Sequence, residues 1–526
     1  MLAEPVERGA PHEPDALAPA RREPAPANRS LEIAGLVLLS AVAACLLLTN
    51  LGNQYLWQDE AQTALLARTI LEHGVPHGHD GRNHFSQELG VEYGTDGVWK
   101  WHTWLSFYAM AGSFALLGPT TFAARLPFAL FGLLTVWLTG VAGRVLWRDS
   151  RSAWLSAALL TLSVPFLILS RQGRYYALAS LLSLAGLVLY RRLGRGRRAA
   201  AVGLFLVATL LFHTHYVYAA TLLASLLLHA SWLDRGRLRQ TLWISIAVTG
   251  CALPWIGWVS SIQLSEQKTA AFLELGDTLG QAAHYLRLLL EVLLANGLFL
   301  LIPLLLLAVR RWSPDRLPAE TREARDATAL LGIHIGVSIL LLALLSPLVY
   351  VRYLAPLLPP LFLLVGHWLA RLSRLQPALA AAVVVAFVAF GSLRDFVGEL
   401  RHDYDGPIEG IVDFLNQHAD PDDTVGIVYG DLPLKFYTDL RIVGGLTGED
   451  VNAEGPADWI ILRHHTVAPV SRRVRRALGR QLTEGVYRPH TLDAPETAFE
   501  NREDPREHRF LTDPTKRRVV IWERRS

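Results

Sequence analysis

The sequence predicts a mainly α, polytopic transmembrane protein of about 12–13 spans that ends in a small α/β domain. Three observations carry this. Hydrophobic residues make up 51% of the 526 positions and the mean hydropathy is +0.27, too apolar for a soluble protein of several domains. The apolar residues are bunched into windows of roughly 16 to 26 residues, separated by arginine-rich breaks. Beyond Leu393 the pattern changes to short β-like runs around one amphipathic stretch.

Residues 1–30 are rich in Pro, Ala, Glu and Arg, cannot bury a core, and read as a disordered cytoplasmic tail. Arg21, Arg22 and Arg29 flank the first apolar segment (31–49) and place that end in the cytoplasm. Val42-Ala43-Ala44-Cys45 has the form of a lipoprotein cleavage box, but the apolar run continues through Leu46, Leu47 and Leu48, so a span is the better reading. Cys45 and Cys251 both fall in apolar segments and imply no disulfide framework.

A polar loop, 50–102, follows the first segment and belongs on the outer face. Its run from Ala61 to Ile70 has helical spacing and suits the membrane surface. Residues 31–393 form the transmembrane domain. Its breaks at Arg148 with Arg151, Arg191 to Arg198, Arg235 to Arg239, Arg310-Arg311 and Arg371 with Arg374 are expected in the cytoplasm. Between Asp59 and Arg148 the alternation requires one or three crossings, with a broken or re-entrant helix near Gly118-Pro119. Residues 394–526 then lie outside, in the periplasm of a bacterial inner-membrane protein. There Pro407–His418 reads as a helix, and Thr424–Tyr429, Trp459–Leu462 and Arg518–Trp522 as strands. The net charge of +3 reflects topology rather than a nucleic-acid surface, and no nucleic-acid partner is expected.

The chemistry-bearing residues lie at outer turns. Asp59 and Glu60 stand next to each other just past the first span, where a carboxylate is costly unless partnered or used. Transfer of a sugar to a hydroxyl or amine needs one base to take the acceptor proton. Adjacent helical residues diverge by about 100°, so at most one acid faces an acceptor. Lys100, between Trp99 and Trp101, is one of only four lysines among 50 basic residues. Arg171 and Arg174 share a short outer turn against the positive-inside tendency, and Arg352-Tyr353 occupies another. These cations suit a departing lipid phosphate. His213 and His215 are weak metal candidates. Mid-span positions are mostly apolar, unlike those of transporters, although a polytopic transporter or lipid-linked sugar flippase stays open as the reading from another class.

These residues resemble bacterial polyprenyl-phosphate-dependent glycosyltransferases of the GT-C fold, which include lipid A aminoarabinose transferases and protein O-mannosyltransferase-like enzymes. Leu56-Trp57-Gln58-Asp59-Glu60 resembles the family's acidic motif, whose first acid is the catalytic base; this implies Asp59. Ser170-Arg171-Gln172-Gly173-Arg174 with Tyr176-Ala177-Leu178 resembles a mannosyltransferase-like signature. Arg352-Tyr353-Leu354 with Pro356 resembles a late motif whose tyrosine lies near the donor phosphate. Trp99-Lys100-Trp101 keeps only the lysine of one branch's Glu-Lys-Pro, and His102-Thr103-Trp104 only the histidine of another branch's His-Pro-Pro.

The resemblance implies a membrane glycosyltransferase that moves a sugar, with inversion, from a polyprenyl-phosphate donor to a lipid, glycan or protein acceptor on the outer face. Asp59, with Glu60, is the expected catalytic acid pair. Lys100, Arg171, Arg174, Arg352 and Tyr353 are the expected phosphate ligands. A divalent metal ion, at Glu60 or His102, is the one cofactor expectation.

Overall fold

The computed structural model describes residues 29–194, 197–263, 278–295, 299, 301–312, 319–346, 349–402, 406–463, 469–496 and 518–525. The N-terminal tail expectation therefore lies outside the described residues, apart from its last two. In chain order the helices are α1 (Arg29–Leu48), α2 (Gln58–His73), α3 (Leu105–Leu117), α4 (Thr121–Trp147), α5 (Ser150–Thr161), α6 (Val164–Arg171) and α7 (Tyr176–Arg191). They continue as α8 (Arg198–Thr214), α9 (Tyr216–Trp232), α10 (Arg235–Gln263), α11 (Thr278–Ala295), α12 (Leu301–Trp312) and α13 (Arg322–Leu345). A 3-10 turn, Val351–Leu357, leads into α14 (Leu358–Leu375), α15 (Pro377–Phe390) and α16 (Leu393–Glu399).

Among the described residues, five helices are long and apolar enough to cross a membrane, or six if the bent pair α5 and α6 is one span; five shorter apolar helices accompany them. Several of the expected 12–13 spans are thus short helices. At 13 residues α3 reaches about 20 Å, short of a hydrocarbon core of about 30 Å. It stops at Gly118 and is followed by the 27-residue α4, whose first turn is capped by the Thr120 side chain. In this region α4 is the helix long and apolar enough to span by itself, with α3 a shorter apolar helix beside it. A second break, the 62° bend between α5 and α6, was not legible in the apolar run. Two glycines mark where helices touch backbone to backbone. A Cβ on Gly143 would sit 2.6 Å from Ala153 Cα, and one on Gly366 would run into Ser156.

The C-terminal domain contains α17 (Pro407–His418), β1 (Thr424–Ile427), α18 (Asp431–Tyr437), β2 (Arg441–Gly444), β3 (Trp459–Ile461), α19 (Pro469–Glu484), β4 (Tyr487–Pro495) and β5 (Arg518–Arg524). The sheet order is β2-β1-β3-β5-β4, with β2, β1 and β3 parallel and β5 and β4 antiparallel. Strand alternation gives it two apolar faces. Val425, Ile427, Ile442, Trp459 and Ile461 pack with Ile408, Ile411 and Leu415 of α17, and Tyr55 and Tyr437 abut this face. Val428, Val443 and Ile460 pack on the other side with Val474 and Leu478 of α19.

The first loop joins this domain to the bundle. Asn83 donates to Leu440 O at 3.0 Å and accepts from Ile442 N at 2.9 Å, in effect pairing with β2. Glu409 accepts from Tyr55 N at 2.8 Å, and the Tyr55 and Tyr437 rings stack with centroids 3.9 Å apart. Lys435 and Asp431, both fully buried, form a 2.8 Å ion pair; Asp431 also accepts from Gln58 Nε2, and Lys435 donates to His84 O. In place of a helix on the membrane surface, α2 is buried along most of its length, packed with Phe107, Met110 and Phe114 of α3 and Leu432 and Phe436 of α18. Its apolar residues were sufficient to predict the helix; of the two partners that cover them, α18 comes from far along the chain, Asp431 lying 373 positions from Gln58.

Candidate active site

The first turn of α2 sets the two acids apart. Glu60 points into the protein and is fully buried. Arg125 of α4 grips it with two donors, Nη2 to Oε2 at 2.7 Å and Nε to Oε1 at 2.9 Å. The same guanidinium donates to the carbonyls of Leu51, Gln54 and Tyr55. Gly173 N donates to Glu60 Oε1 at 2.6 Å, so Glu60 also fixes the turn between α6 and α7. A Cβ at Gly173 would lie 2.9 Å from Met110 Cε, the movable end of a flexible side chain, and 3.4 Å from Ala124 O, so the turn packs closely on α3 and α4. A carboxylate so fully engaged is an anchor: the buried charge is matched by a bidentate partner, as burial demands.

Asp59 points the other way. Its Oδ2 lies 3.7 Å from Arg352 Nη2 and 3.9 Å from Arg174 Nη2, and its Oδ1 accepts from Gln87 Nε2 at 3.1 Å. Its side chain is 17% exposed. Arg174 rides on the turn that Glu60 pins, and donates to Asp59 O at 3.1 Å and Thr63 Oγ1 at 2.9 Å. Burial alone would lower the Arg174 pKa, but the Asp59 carboxylate and the Tyr176 and Tyr175 rings outweigh it and keep the guanidinium charged. Arg352, in the 3-10 turn, sits among aromatic rings, 4.1 Å from the Tyr350 centroid, 5.5 Å from Trp57 and 5.8 Å from Tyr353. The turn is tied to α9 by Tyr218 Oη donating to Tyr353 O at 3.1 Å. Arg174 Nε and Tyr176 Oη are buried with no hydrogen-bond partner among the described residues. Two orphaned donors beside a pair of guanidiniums make a place for an anion.

Of the residues singled out in the sequence, the structure brings Asp59, Arg174, Arg352 and Tyr353 together. Arg171 it places elsewhere, donating to Leu46, Leu47 and Asn50 carbonyls and so capping the C-terminus of α1. Lys100 pairs with Asp96 at 3.0 Å and lies 5.2 Å from the Trp258 ring centroid. His102 stacks with Trp99, and His215 packs against Tyr175 and Tyr218. Among the described residues no group of three His, Cys, Asp or Glu side chains is arranged to hold a metal ion. Glu60, enclosed by Arg125, and His102, among tryptophans, do not form a shared donor set for one. Gln87 and Thr63 were not legible beforehand: nothing local marks a glutamine 28 positions from the acid it holds. Trp57 and Tyr350 did stand inside quoted motifs.

Fold and site together define a polytopic α-helical protein with an acid–arginine site where its first loop, bundle and C-terminal domain meet. Comparison with solved structures makes the class specific. ArnT from Cupriavidus metallidurans bound to undecaprenyl phosphate superposes with a TM-score of 0.57 at 18% identity, covering 93% of this chain and 97% of that one. The same protein in the apo state gives 0.58 at 16% identity, covering 94% and 98%. The archaeal oligosaccharyltransferase AglB from Archaeoglobus fulgidus, in complex with an inhibitory peptide and a dolichol-phosphate, gives 0.50 at 11%, covering 83% and 69%. The chain has the GT-C fold. No family model matches the sequence, and no curated protein does.

Proposed function

We propose that this protein is an inverting glycosyltransferase that takes a sugar from a polyprenyl-phosphate carrier at the outer face of a bacterial inner membrane. The observation that carries the reading is the meeting of one accessible carboxylate, Asp59, with Arg174 and Arg352 at 3.9 and 3.7 Å. These pairs are too long for direct hydrogen bonds, and beside them the buried Arg174 Nε and Tyr176 Oη have no hydrogen-bond partner among the described residues, donors that a third party could take. A carrier phosphate seated on Arg174 and Arg352 would draw them off the carboxylate and leave Asp59 as a base.

In the reaction, Asp59 takes the proton of the acceptor hydroxyl or amine as the acceptor atom bonds to the anomeric carbon. The bond from that carbon to the phosphate oxygen breaks, and its electron pair leaves on the phosphate, where the two arginines stabilise the added charge. Direct displacement inverts the centre and needs no second carboxylate. That agrees with the commitment of Glu60 to Arg125. Tyr353 and Lys100 belong to the donor side, Lys100 at the membrane-proximal tryptophans. Arg171 and Glu60 hold the frame. Candidate acceptors are a lipid, a glycan or a protein, and no step is derived through a metal.

The test is transfer from a panel of radiolabelled polyprenyl-phosphate sugars by membranes containing wild type or Asp59→Asn at equal expression. Wild type should transfer at least one sugar and the variant none. Equal transfer by Asp59→Asn would remove the base, and a wild type inert towards every donor would leave the transporter or flippase reading ahead.

A further inference from the structure

The helix α19 has no part in the site above, and its surface is unlike the rest of the C-terminal domain. Its sixteen residues carry five arginines, Arg472, Arg473, Arg475, Arg476 and Arg480, against one acid, Glu484. Ser471, Val474 and Leu478 are buried against the sheet, and Arg472, Arg473, Arg476 and Arg480 are exposed. At about 100° per residue the arginines span an arc of about 160°. Over a rise of about 12 Å they form one continuous basic face. Among the described residues none of the five is in an ion pair; the one contact is Arg476 Nε to Arg472 O at 3.3 Å. Other arginines of the domain, Arg441 with Glu449 and Glu454 and Arg463 with Glu496, are in ion pairs, while Arg488, Arg524 and Arg525 stand on or just past the strands rather than in a row. Like charges at i, i+3 and i, i+4 on one helix face repel one another, a cost that an anionic partner would reduce.

A basic amphipathic helix commonly lies on a membrane, but the sheet decides otherwise here. The face carrying α17 is the one met by Tyr55 and Tyr437, and so by the first loop and the bundle. The helix α19 covers the opposite face. Its apolar side is spent on Val428, Val443 and Ile460, and its arginines point away from the bundle. A protein partner would find no aromatic or aliphatic centre on this face. What it offers is a row of bidentate cations for a hydrophilic chain with repeated negative groups.

We infer that α19 is a docking surface for an anionic polysaccharide, a glycan chain bearing carboxylates or phosphates at regular intervals. The choice of a glycan over other polyanions rests on the glycosyltransferase reading, in which this domain faces the cell envelope.

The experiment is binding of the purified full chain in nanodiscs of neutral lipid to fluorescent polygalacturonate of fixed length, as a function of salt. Wild type should bind with an affinity that falls steeply as salt rises. The combined variant Arg472→Ser, Arg473→Ser, Arg476→Ser, Arg480→Ser should bind at least about tenfold more weakly, with a shallower salt dependence. The four-lysine variant, which keeps the charge and gives up only the paired donors, should bind more weakly than wild type but clearly more tightly than the serine variant, which separates lost charge from lost folding. A control with the same change in net charge, Arg235→Ser, Arg239→Ser, Arg310→Ser, Arg311→Ser, should bind as wild type. The inference is overturned if the α19 variant binds normally, or if the control loses as much. It is also overturned if DNA of matched charge density binds as tightly through the same arginines, or if only anionic-lipid nanodiscs respond to them. Because the readout is binding, a protein that transfers no sugar but holds the polymer through α19 would sink the transferase reading alone. One that transfers but does not bind would sink only this inference.

Discussion

The two ends of the helical bundle use the same residue types to opposite effect. At the end away from the C-terminal domain, the network around Asp149, His367 and Glu320 is joined by direct contacts. Asp149 caps α5 through the Arg151 and Ser152 amides, pairs with Arg374 at 2.8 Å and accepts from Ser152 Oγ at 2.6 Å. Ser152 meets His367 Nδ1 at 3.1 Å, His367 Nε2 meets Glu320 at 3.1 Å, and Glu320 also pairs with Arg371. The His367 ring stacks on Trp147 with centroids 4.4 Å apart. At the loop end, Asp59 and its two arginines stay 3.7 to 3.9 Å apart, with buried donors left over. Glu60, one residue away, belongs in kind to the first region. Residue type does not separate structure from chemistry here; closure of the contact does. A closed network holds helices together, and the looser one is where the proposed carrier phosphate would sit.

The largest expected effect tests this inside a single helical turn. Asp59→Asn should abolish transfer, by at least about a thousandfold, while leaving the detergent-solubilised protein as heat-stable as wild type. Arg125→Met should do the reverse: it strands the buried Glu60 carboxylate, costs about 3–5 kcal/mol and lowers the unfolding temperature. If Arg125→Met melts like wild type and only activity is lost, the division between the two acids is wrong. Next come the two arginines beside Asp59. Arg352→Ala or Arg174→Ala should weaken donor binding by roughly ten- to a hundredfold, the worth of one charge-assisted bond, with little change in melting. Unchanged donor KM in both variants would remove the phosphate from this pair. A smaller effect is expected from Gln87→Ala, which frees Asp59 Oδ1: a drop in kcat of about tenfold with an unaltered donor KM. At the closed end, Ser152→Ala should cost about 1–3 kcal/mol of stability, because it leaves buried partners unsatisfied, and no activity once the protein is folded. A selective loss of transfer there would break the comparison.

How much of this was legible beforehand follows from the range of the interactions. Helices and their apolar faces are local patterns, so the α class, the C-terminal sheet domain and the helix from Pro407 to His418 could be read directly. The acid pair at Asp59 and Glu60, and Arg174 and Arg352, stood out because charge at a membrane boundary is costly wherever it occurs; the choice of Asp59 over Glu60, and Tyr353, came only from the family resemblance. The roles of Glu60 and Arg171 were beyond reach, since each is set by a partner outside its own motif: Arg125 on α4 for one, the end of α1 for the other. The strands β2 and β4 were missed for a related reason. Arg441–Gly444 is four residues long, and Tyr487–Pro495 lacks a clean alternation, so neither declares itself without its neighbours.

The subtlest difference between the two ends is their response to pH. Glu320, at the closed end, is held at about 2, chiefly by its hydrogen bond from His367 and then, against the opposing effect of burial, by Arg371. Its contribution to stability is complete above the ordinary glutamate value of 4.5 and is lost only as pH falls through about 2. Glu92, in the first loop, goes the other way. Burial raises it to about 7, with Glu88 adding to the rise, while Ser86 Oγ and the Gln87 amide only partly oppose it. A group raised in the folded state stabilises fully below 4.5 and loses that contribution as pH rises through about 7. Glu92 holds the turn from Ser86 to Glu88 by accepting from the Ser86 hydroxyl and the Gln87 and Glu88 amides. That turn carries the Gln87 side chain to Asp59. Between about pH 5 and about pH 8 the contribution of Glu320 should therefore stay constant while the turn beside Asp59 loosens. Hydrogen exchange of residues 86–90, corrected for intrinsic rate, should show protection falling across this window in wild type and a flat profile in Glu92→Gln. If Glu92→Gln keeps the wild-type pH dependence, the titrating group lies elsewhere; if wild type itself shows a flat profile, the loop end is as closed to pH as the other.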